Sequence, residues 1–128
     1  MKDRQIIIAD DIFSNRLLLH NVLEQLGYDA KVVDNGKKLI DELRQHPDYK
    51  IVFTDIEMPV MNGLEVVRTI RNDFSEPVSK MPVIALTAHN LKEFSGKLAG
   101  AGFDDIISKP YSTKKFGELL EKYMSAEN

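Results

Sequence analysis

The sequence contains no cysteine, and this absence excludes several kinds of site. A chain without cysteine cannot form disulfides, use a thiolate nucleophile or bind zinc through cysteine ligands. Long apolar runs are also absent, and none approaches the roughly 18 residues that a membrane-spanning helix needs. The first residues, MKDRQ, do not resemble a signal peptide. We therefore expect a cytoplasmic protein, or the cytoplasmic portion of a larger one, with no membrane contact by this chain itself.

Charge of either sign is not in large excess. The chain has 17 Lys and Arg residues against 20 Asp and Glu residues, a formal net charge of -3, and its cationic residues are scattered. This distribution gives no basic surface for nucleic acid, so we expect no direct nucleic-acid binding. With 128 residues, the chain suits one domain spanning 1–128.

The stretch around which the chain is organised is IVFTDIEMPVMNG, residues 51–63. Its unbroken β-prone start predicts a strand buried on both faces, as in a parallel sheet. Pro59 and the pair Asn62 and Gly63 mark the loop that follows the strand. Asp55 is therefore expected at the carboxyl end of a central strand, the edge at which open α/β sheets bind ligands.

Four other apolar runs predict strands, and residues at helical spacing follow each of them. In the first predicted helix, Ser14 or Asn15 can provide the cap, Leu18 belongs to the apolar stripe, and Gly27 ends the helix. The weaker alternation of the second strand suits an edge position. Five strand–helix repeats with right-handed crossovers predict an α/β fold, a five-stranded parallel sheet with five helices in a doubly wound (βα)5 arrangement. The four further strands are predicted at 5–9, 28–33, 82–88 and 104–108.

Reactive polar residues recur where the predicted strands end: Asp10, Asp11, Asp55, Thr87 and Lys109. Parallel strands bring these ends to one edge of the sheet. Three carboxylates about 5 Å apart would repel pairwise by roughly 3 kcal/mol at an effective dielectric constant near 20. One lysine does not comfortably offset three such pairs, whereas a hard divalent cation does. Oxygen ligands with vacant positions suit Mg²⁺, which takes phosphate oxygens readily.

A carboxylate, a lysine and a hydroxyl beside Mg²⁺ suit phosphoryl transfer, with the carboxylate as the nucleophile that forms an aspartyl-phosphate. Each residue also has an ordinary structural interpretation when taken alone. Asp10 and Asp11 could form a turn or a helix cap, Asp55 could cap the turn after it, and Lys109 could be a solvated surface residue. The functional interpretation depends on all of them sharing one edge of the sheet.

The whole chain resembles the receiver domains of two-component response regulators, which have a flavodoxin-like fold. The resemblance rests on ADD ending at Asp11, TDIEMPVMNG around Asp55, ALTA ending at Ala88 and SKP ending at Pro110. It implies that Asp55 accepts a phosphoryl group from a phosphohistidine, on a histidine kinase or a histidine phosphotransfer domain, in a Mg²⁺-dependent reaction. Mn²⁺ could substitute for Mg²⁺. The reaction would shift the conformation of the chain and so regulate a partner.

The resemblance also assigns roles to individual positions. Direct metal ligands would be Asp11, Asp55 and the carbonyl of Glu57, with Asp10 acting mainly through water. The amides of Glu57 and Ala88 would bind the phosphoryl group, Lys109 would pair with it, and the hydroxyl of Thr87 would move toward it. Lys109–Pro110 would be a cis peptide bond. The side chains of Glu57 and His89 would tune the lifetime of the phosphate.

One position departs from the family pattern. Many receivers have an aromatic switch residue three positions before the lysine, and this chain has Ile106 there. An aliphatic side chain cannot swing a polar ring between inside and outside. The usual coupling between Thr87 and this switch position is therefore not expected in its common form.

The segments MPVIALTAHN and AGFDDIISKPY most resemble receivers attached to hybrid histidine kinases. The chain is then either a stand-alone regulator or a receiver from a larger, membrane-bound kinase, and it could form a weak homodimer. Two alternatives belong to other classes. One is a phosphatase of the haloacid-dehalogenase type, with Glu57 as the second carboxylate, although Asp55 lies on the third strand rather than the first. The other is a receiver-like scaffold in which phosphorylation has no role.

Overall fold

A computed structural model describes residues 5–88, 96 and 98–124 of the chain. Five parallel strands form one sheet in the order β2-β1-β3-β4-β5, so the predicted edge position of the second strand is confirmed. The strands are β1 (Ile6–Ala9), β2 (Ala30–Val33), β3 (Ile51–Asp55), β4 (Val83–Thr87) and β5 (Asp105–Ser108). The helices are α1 (Phe13–Gln25), α2 (Gly36–Gln45), α3 (Gly63–Asp73), α4, described as helical at residues 96 and 98–101, and α5 (Thr113–Met124).

The predicted α/β class, the five parallel strands and the five helices are confirmed, and every strand end lies within two residues of its predicted position. The connection between α3 and β4, predicted as a loop, contains a short 3-10 helix at Val78–Lys80. Among the helices of the described residues, none has the length and apolar character needed to cross a membrane.

The core consists of two clusters, one on each face of the sheet. Alternation along β3 sends Val52 to one face and Phe53 to the other, and both side chains are fully buried. Helices α2 and α3 cover the face of Val52, while α1 and α5 cover the face of Phe53. Burial of both faces explains why β3 begins with three apolar residues, 51–53, and has no charged residue before Asp55 at its carboxyl end.

Two predictions about α1 were wrong. The helix begins at Phe13 with Ile12 as its N-cap and no side-chain cap, so neither Ser14 nor Asn15 has that role. The Ile12 amide instead donates to Asp10 Oδ1 at 3.0 Å, because the acidic end of β1 already supplies an acceptor there. Leu18 is 41% exposed rather than part of the core, since three consecutive leucines cannot all face the sheet.

The other helix boundaries follow local signals in the sequence. Asn35 caps α2, Ser112 caps α5, and Asn62 forms a capping box with Glu65 at the start of α3. Gly100 lies within the helical residues of α4, whereas Gly102, with a φ of 117°, follows the last of them. These N-caps fix where each helix begins, and therefore how long the loops at the carboxyl edge of the sheet are.

Candidate functional site: an acidic pocket at the carboxyl edge of the sheet

The acidic pocket is built by the ends of β1 and β3, which are adjacent in the sheet. Asp10 and Asp11 follow β1, and Asp55 is the last residue of β3. One carboxylate oxygen from each of these three residues lies within 4.8 Å of the other two. Asp10 is completely buried and Asp55 is 6% exposed, while Asp11 is partly exposed. The structure therefore brings the three carboxylates together at one edge.

Lys109 reaches the same pocket from the end of β5. Its Nζ donates to Asp55 Oδ2 at 3.1 Å and lies 3.7 Å from Asp10 Oδ2. The Lys109 amide donates to the carbonyl oxygen of Thr87 at 2.8 Å, which ties the end of β5 to the end of β4. The Lys109–Pro110 peptide bond is cis, as the resemblance implies, and Glu76–Pro77 is a second, unpredicted cis bond.

Asp10 is held by groups that sequence reasoning missed. Its Oδ2 accepts a hydrogen bond from the Tyr111 hydroxyl at 2.9 Å, and its Oδ1 accepts from the Ile12 amide and from Asn15 Nδ2. Arg16 Nη1 donates to the Asp10 carbonyl oxygen at 3.0 Å. Proximity in sequence was the available signal, since Tyr111 follows Lys109–Pro110 directly and Asn15 lies one turn into α1.

The electrostatics of the pocket follow from burial and from the crowding of like charges. Burial raises the pKa of Asp55 above its ordinary value, and the charges of Asp10 and Asp11 add to this effect, while Lys109 opposes it. Burial and the charge of Asp10 raise the pKa of the Tyr111 hydroxyl above its ordinary value. The hydroxyl thus remains a proton donor to Asp10 at neutral pH.

The donors in the pocket fit a hard divalent cation. Three carboxylates supply oxygen ligands only, and one oxygen from each lies close enough to the other two to share one ion. Lys109 balances only part of their charge, since it is a single ammonium. Oxygen ligands and room for water are the preferences of Mg²⁺, so the residues present fit this ion.

The remaining site residues predicted from the sequence lie on the same edge or, for Ile106, two residues before it, with one exception. Thr87 is the last residue of β4 and is 2% exposed, and Ala88 follows it. Glu57 lies in the loop after β3 with an exposed side chain. Ile106 lies on β5, opposite Ala85 of β4, and is partly buried against the core cluster on the α3 side of the sheet. The exception, His89, lies outside the described residues.

The loop between β3 and α3 is packed closely against Asp55. A Cβ atom at Gly63 would collide with the backbone carbonyl of Asp55, so this position requires glycine. Val60 has a φ of 73°, and the Met61 amide donates to the Pro59 carbonyl at 2.9 Å, which closes a γ-turn around Val60. A β-branched residue is strained in this conformation.

With this geometry in place, the comparison with known proteins identifies the family. The family model described as "Response regulator receiver domain" matches residues 6–121. The chain belongs to the response regulator receiver domain family. The resemblance found in the sequence is thereby confirmed over most of the chain.

Relatives of this receiver include both separate regulators and parts of kinases. It is 31% identical over 122 residues to the polar-differentiation response regulator DivK of Brucella anthropi, covering 94% of this chain and 96% of DivK. It is 31% identical over 120 residues to the sensor histidine kinase GacS of Pseudomonas protegens, covering 93% of this chain but 13% of the kinase. Against a hybrid histidine kinase of Dictyostelium discoideum it spans 7% of the relative's length.

Solved structures share the fold of this receiver. The receiver domain of the sensor histidine kinase PA1611 from Pseudomonas aeruginosa, which has a magnesium ion in its active-site cleft, superposes with a TM-score of 0.83 at 26% identity, covering 96% of this chain and 99% of that one. The receiver domain of Ssk1 from Saccharomyces cerevisiae, solved with the histidine phosphotransfer protein Ypd1, gives a TM-score of 0.86 at 21% identity, covering 98% of this chain and 91% of that one.

Proposed function

We propose that this receiver accepts a phosphoryl group on Asp55 from a phosphohistidine, in a Mg²⁺-dependent reaction. The observation that carries the proposal is the convergence of three carboxylates within 4.8 Å of one another, with an ammonium 3.1 Å from the carboxylate of Asp55. A purely structural cluster of buried acids would be costly to fold, because like charges repel at these distances. A pocket that receives a cation and a phosphoryl group gives that arrangement a use.

In the proposed reaction, a carboxylate oxygen of Asp55 attacks the phosphorus atom. The bond between the phosphorus and the imidazole nitrogen breaks, and its electron pair remains on the histidine. The Lys109 ammonium would pair first with the Asp55 carboxylate and then with the phosphoryl oxygens. The Thr87 hydroxyl and the amides of Glu57 and Ala88 would donate hydrogen bonds to those oxygens. Mg²⁺, or Mn²⁺ in its place, would be held by Asp11, Asp55 and the Glu57 carbonyl, and would neutralise oxygens of the transferred group.

The phosphohistidine must come from a partner protein, and the surface around the acidic pocket suits one. Four apolar residues are unusually exposed at this edge: Ile12 is 48% exposed, Phe13 68%, Leu17 53% and Val60 74%. All four lie on the start of α1 or in the loop after β3, and both segments leave strands that end in the pocket. We propose that a histidine kinase or a histidine phosphotransfer domain covers them while its histidine reaches Asp55. The complex of the Ssk1 receiver with Ypd1 supports a partner of this kind.

Intact-mass measurement in the presence of Mg²⁺ and a small phosphodonor tests the reaction. One phosphoryl group should appear on the chain and be absent from Asp55→Asn. Asp41→Asn is the matched control, since Asp41 is an exposed acid in an ion pair with Lys37, away from the pocket. A phosphatase would consume donor continuously without gaining mass, and a scaffold would do neither. Either of these results, with a folded protein, would contradict the proposal.

Docking is tested separately from the chemistry. Phe13→Ser and Leu17→Ser should slow transfer from a phosphorylated histidine phosphotransfer domain by about tenfold or more, because a few buried side chains carry most of the binding energy at such contacts. The same variants should accept phosphate from the small donor at the parental rate. Equal slowing with both donors would mean that the substitutions damage the pocket rather than the docking surface.

Several finer assignments stay predictions. These are a single domain over 1–128, a cytoplasmic location, attachment to a membrane-bound hybrid kinase, a weak homodimer, and the absence of direct nucleic-acid binding. The roles of Glu57 and His89 in tuning phosphate lifetime are of the same kind. Substitution of either residue should change the rate of phosphate loss, and unchanged decay in both variants would contradict this assignment.

A further inference from the structure

Tyr111 occupies a position in the pocket that the proposed reaction does not use. Its ring is 8% exposed and packs edge-on against Phe116, with ring centroids 5.7 Å apart. Phe116 packs in turn against Phe53 at 4.9 Å. The ring is thus fixed by the core, and its hydroxyl is directed at Asp10. A hydroxyl donor fixed in this way can determine which carboxylate a neighbouring ammonium pairs with.

The ammonium of Lys109 lies between two carboxylates. It is 3.1 Å from Asp55 Oδ2 and 3.7 Å from Asp10 Oδ2. The oxygen of Asp10 that faces Lys109 is the same atom that accepts the Tyr111 hydroxyl at 2.9 Å. A neutral donor therefore satisfies this oxygen, and the only ammonium described in the pocket remains closer to Asp55.

We propose that Tyr111 is a positioning residue, whose hydroxyl satisfies Asp10 and thereby keeps Lys109 on Asp55. Without the hydroxyl, Asp10 Oδ2 would be a fully buried anionic oxygen with no close donor, which is unfavourable unless another donor replaces the lost one. Lys109 is the nearest candidate and would move toward it. This inference rests on the proposed function, since it concerns how the lysine is kept ready for the phospho-acceptor.

The test compares Tyr111→Phe with Tyr49→Phe. Tyr49 is a matched control because it is also buried, at 7% exposed, and its hydroxyl bonds to Glu42 away from the pocket. Crystal structures of the metal-free proteins locate Lys109 Nζ without any phosphodonor. We expect Nζ to lie closer to Asp10 than to Asp55 in Tyr111→Phe and to keep the parental position in Tyr49→Phe. If Nζ stays on Asp55 in Tyr111→Phe, the inference is overturned.

A double variant and a rate measurement complete the test. Asp10→Asn combined with Tyr111→Phe removes the charge that attracts Lys109, so Nζ should return to Asp55 in the metal-free structure, and failure to return would contradict the inference. With Mg²⁺ and a small phosphodonor, Tyr111→Phe should be phosphorylated about tenfold more slowly than the parent, which corresponds to about 1.4 kcal/mol. A rate equal to that of Tyr49→Phe would overturn the inference. If the parent accepts no phosphate, the proposed function fails, and the position of Lys109 still decides the role of Tyr111.

Discussion

Neutralising Asp11 tests the acidic pocket as a metal site, because it changes stability in opposite directions with and without metal. The carboxylate oxygens of Asp10, Asp11 and Asp55 lie no more than 4.8 Å apart. At an effective dielectric constant of about 20, each pair repels by roughly 3.5 kcal/mol, and Asp11 takes part in two of the three pairs. Water at the partly exposed Asp11 screens most of this repulsion, which leaves about 1–2 kcal/mol. Asp11→Asn should raise the free energy of unfolding of the metal-free chain by this amount.

Added Mg²⁺ should reverse the order of stability of the two proteins. At 100 times its dissociation constant, a ligand that binds only the folded chain stabilises it by about 2.7 kcal/mol, so the parent should gain on this scale. Asp11→Asn should lose most of that gain, since one of its charged ligands is gone. Urea unfolding in EDTA and in excess Mg²⁺ measures both effects, with Asp41→Asn as the control that should behave as the parent. The reasoning is refuted if Asp11→Asn keeps the full Mg²⁺ stabilisation, or if it is the less stable protein in EDTA.

Three further predictions concern other parts of the chain. Val60→Asn should raise the free energy of unfolding measured in urea by about 1 kcal/mol, because asparagine tolerates the φ of 73° better than a β-branched residue. A lower free energy of unfolding would contradict the inference that Val60 is strained. Arg71→Leu should lower the free energy of unfolding by about 2–4 kcal/mol, because the guanidinium donates to three backbone carbonyls and one carboxylate. Arg68 is exposed on the same helix, so the control Arg68→Leu should change the free energy of unfolding by under about 0.5 kcal/mol. Equal effects of the two substitutions would contradict this role of Arg71. Without metal, in EDTA, the pKa of Asp55 is higher in the folded chain than in the unfolded chain, so the folded chain holds the carboxyl proton of Asp55 to higher pH. The folded chain therefore loses stability as the pH rises through this raised pKa. Asp55→Asn should therefore exceed the parent in thermal stability at pH 7 by more than at pH 4, and a pH-independent difference would contradict that sign.

The sheet and the acidic pocket were predictable because both depend on local signals and one topological rule. The three central strands, β1, β3 and β4, are mainly apolar runs of four or five residues, and Asp10, Asp55 and Thr87 lie at or directly after their ends. Parallel strands then align these ends without any knowledge of packing. The convergence of residues separated by about a hundred positions followed from this rule.

Contacts that depend on side-chain direction could not be predicted in the same way. The Tyr111 hydroxyl meets Asp10 because Phe116 and Phe53 fix the tilt of the ring, and no local pattern specifies that tilt. Arg71 leaves α3 to meet Gly102, which is 31 residues further along the chain. The start of α1 was predicted wrongly for a related reason. The Asp10 carboxylate, which directly follows β1, accepts from the Ile12 amide in place of a cap by Ser14 or Asn15.

Ile106 bears on how phosphorylation could be communicated from this pocket. It lies opposite Ala85, two residues before Thr87 on β4, and it borders a groove of about 210 Å³ lined also by Leu98 and Phe103. An isoleucine has no polar group that could exchange partners, so two positions of its side chain can differ only in buried area and packing. A tenfold change in the ratio of two conformations requires about 1.4 kcal/mol, which about 55 Å² of apolar burial supplies at roughly 25 cal/mol per Å². Ile106 is already partly buried, so a modest switch without an aromatic ring requires that its remaining exposed surface enter the groove.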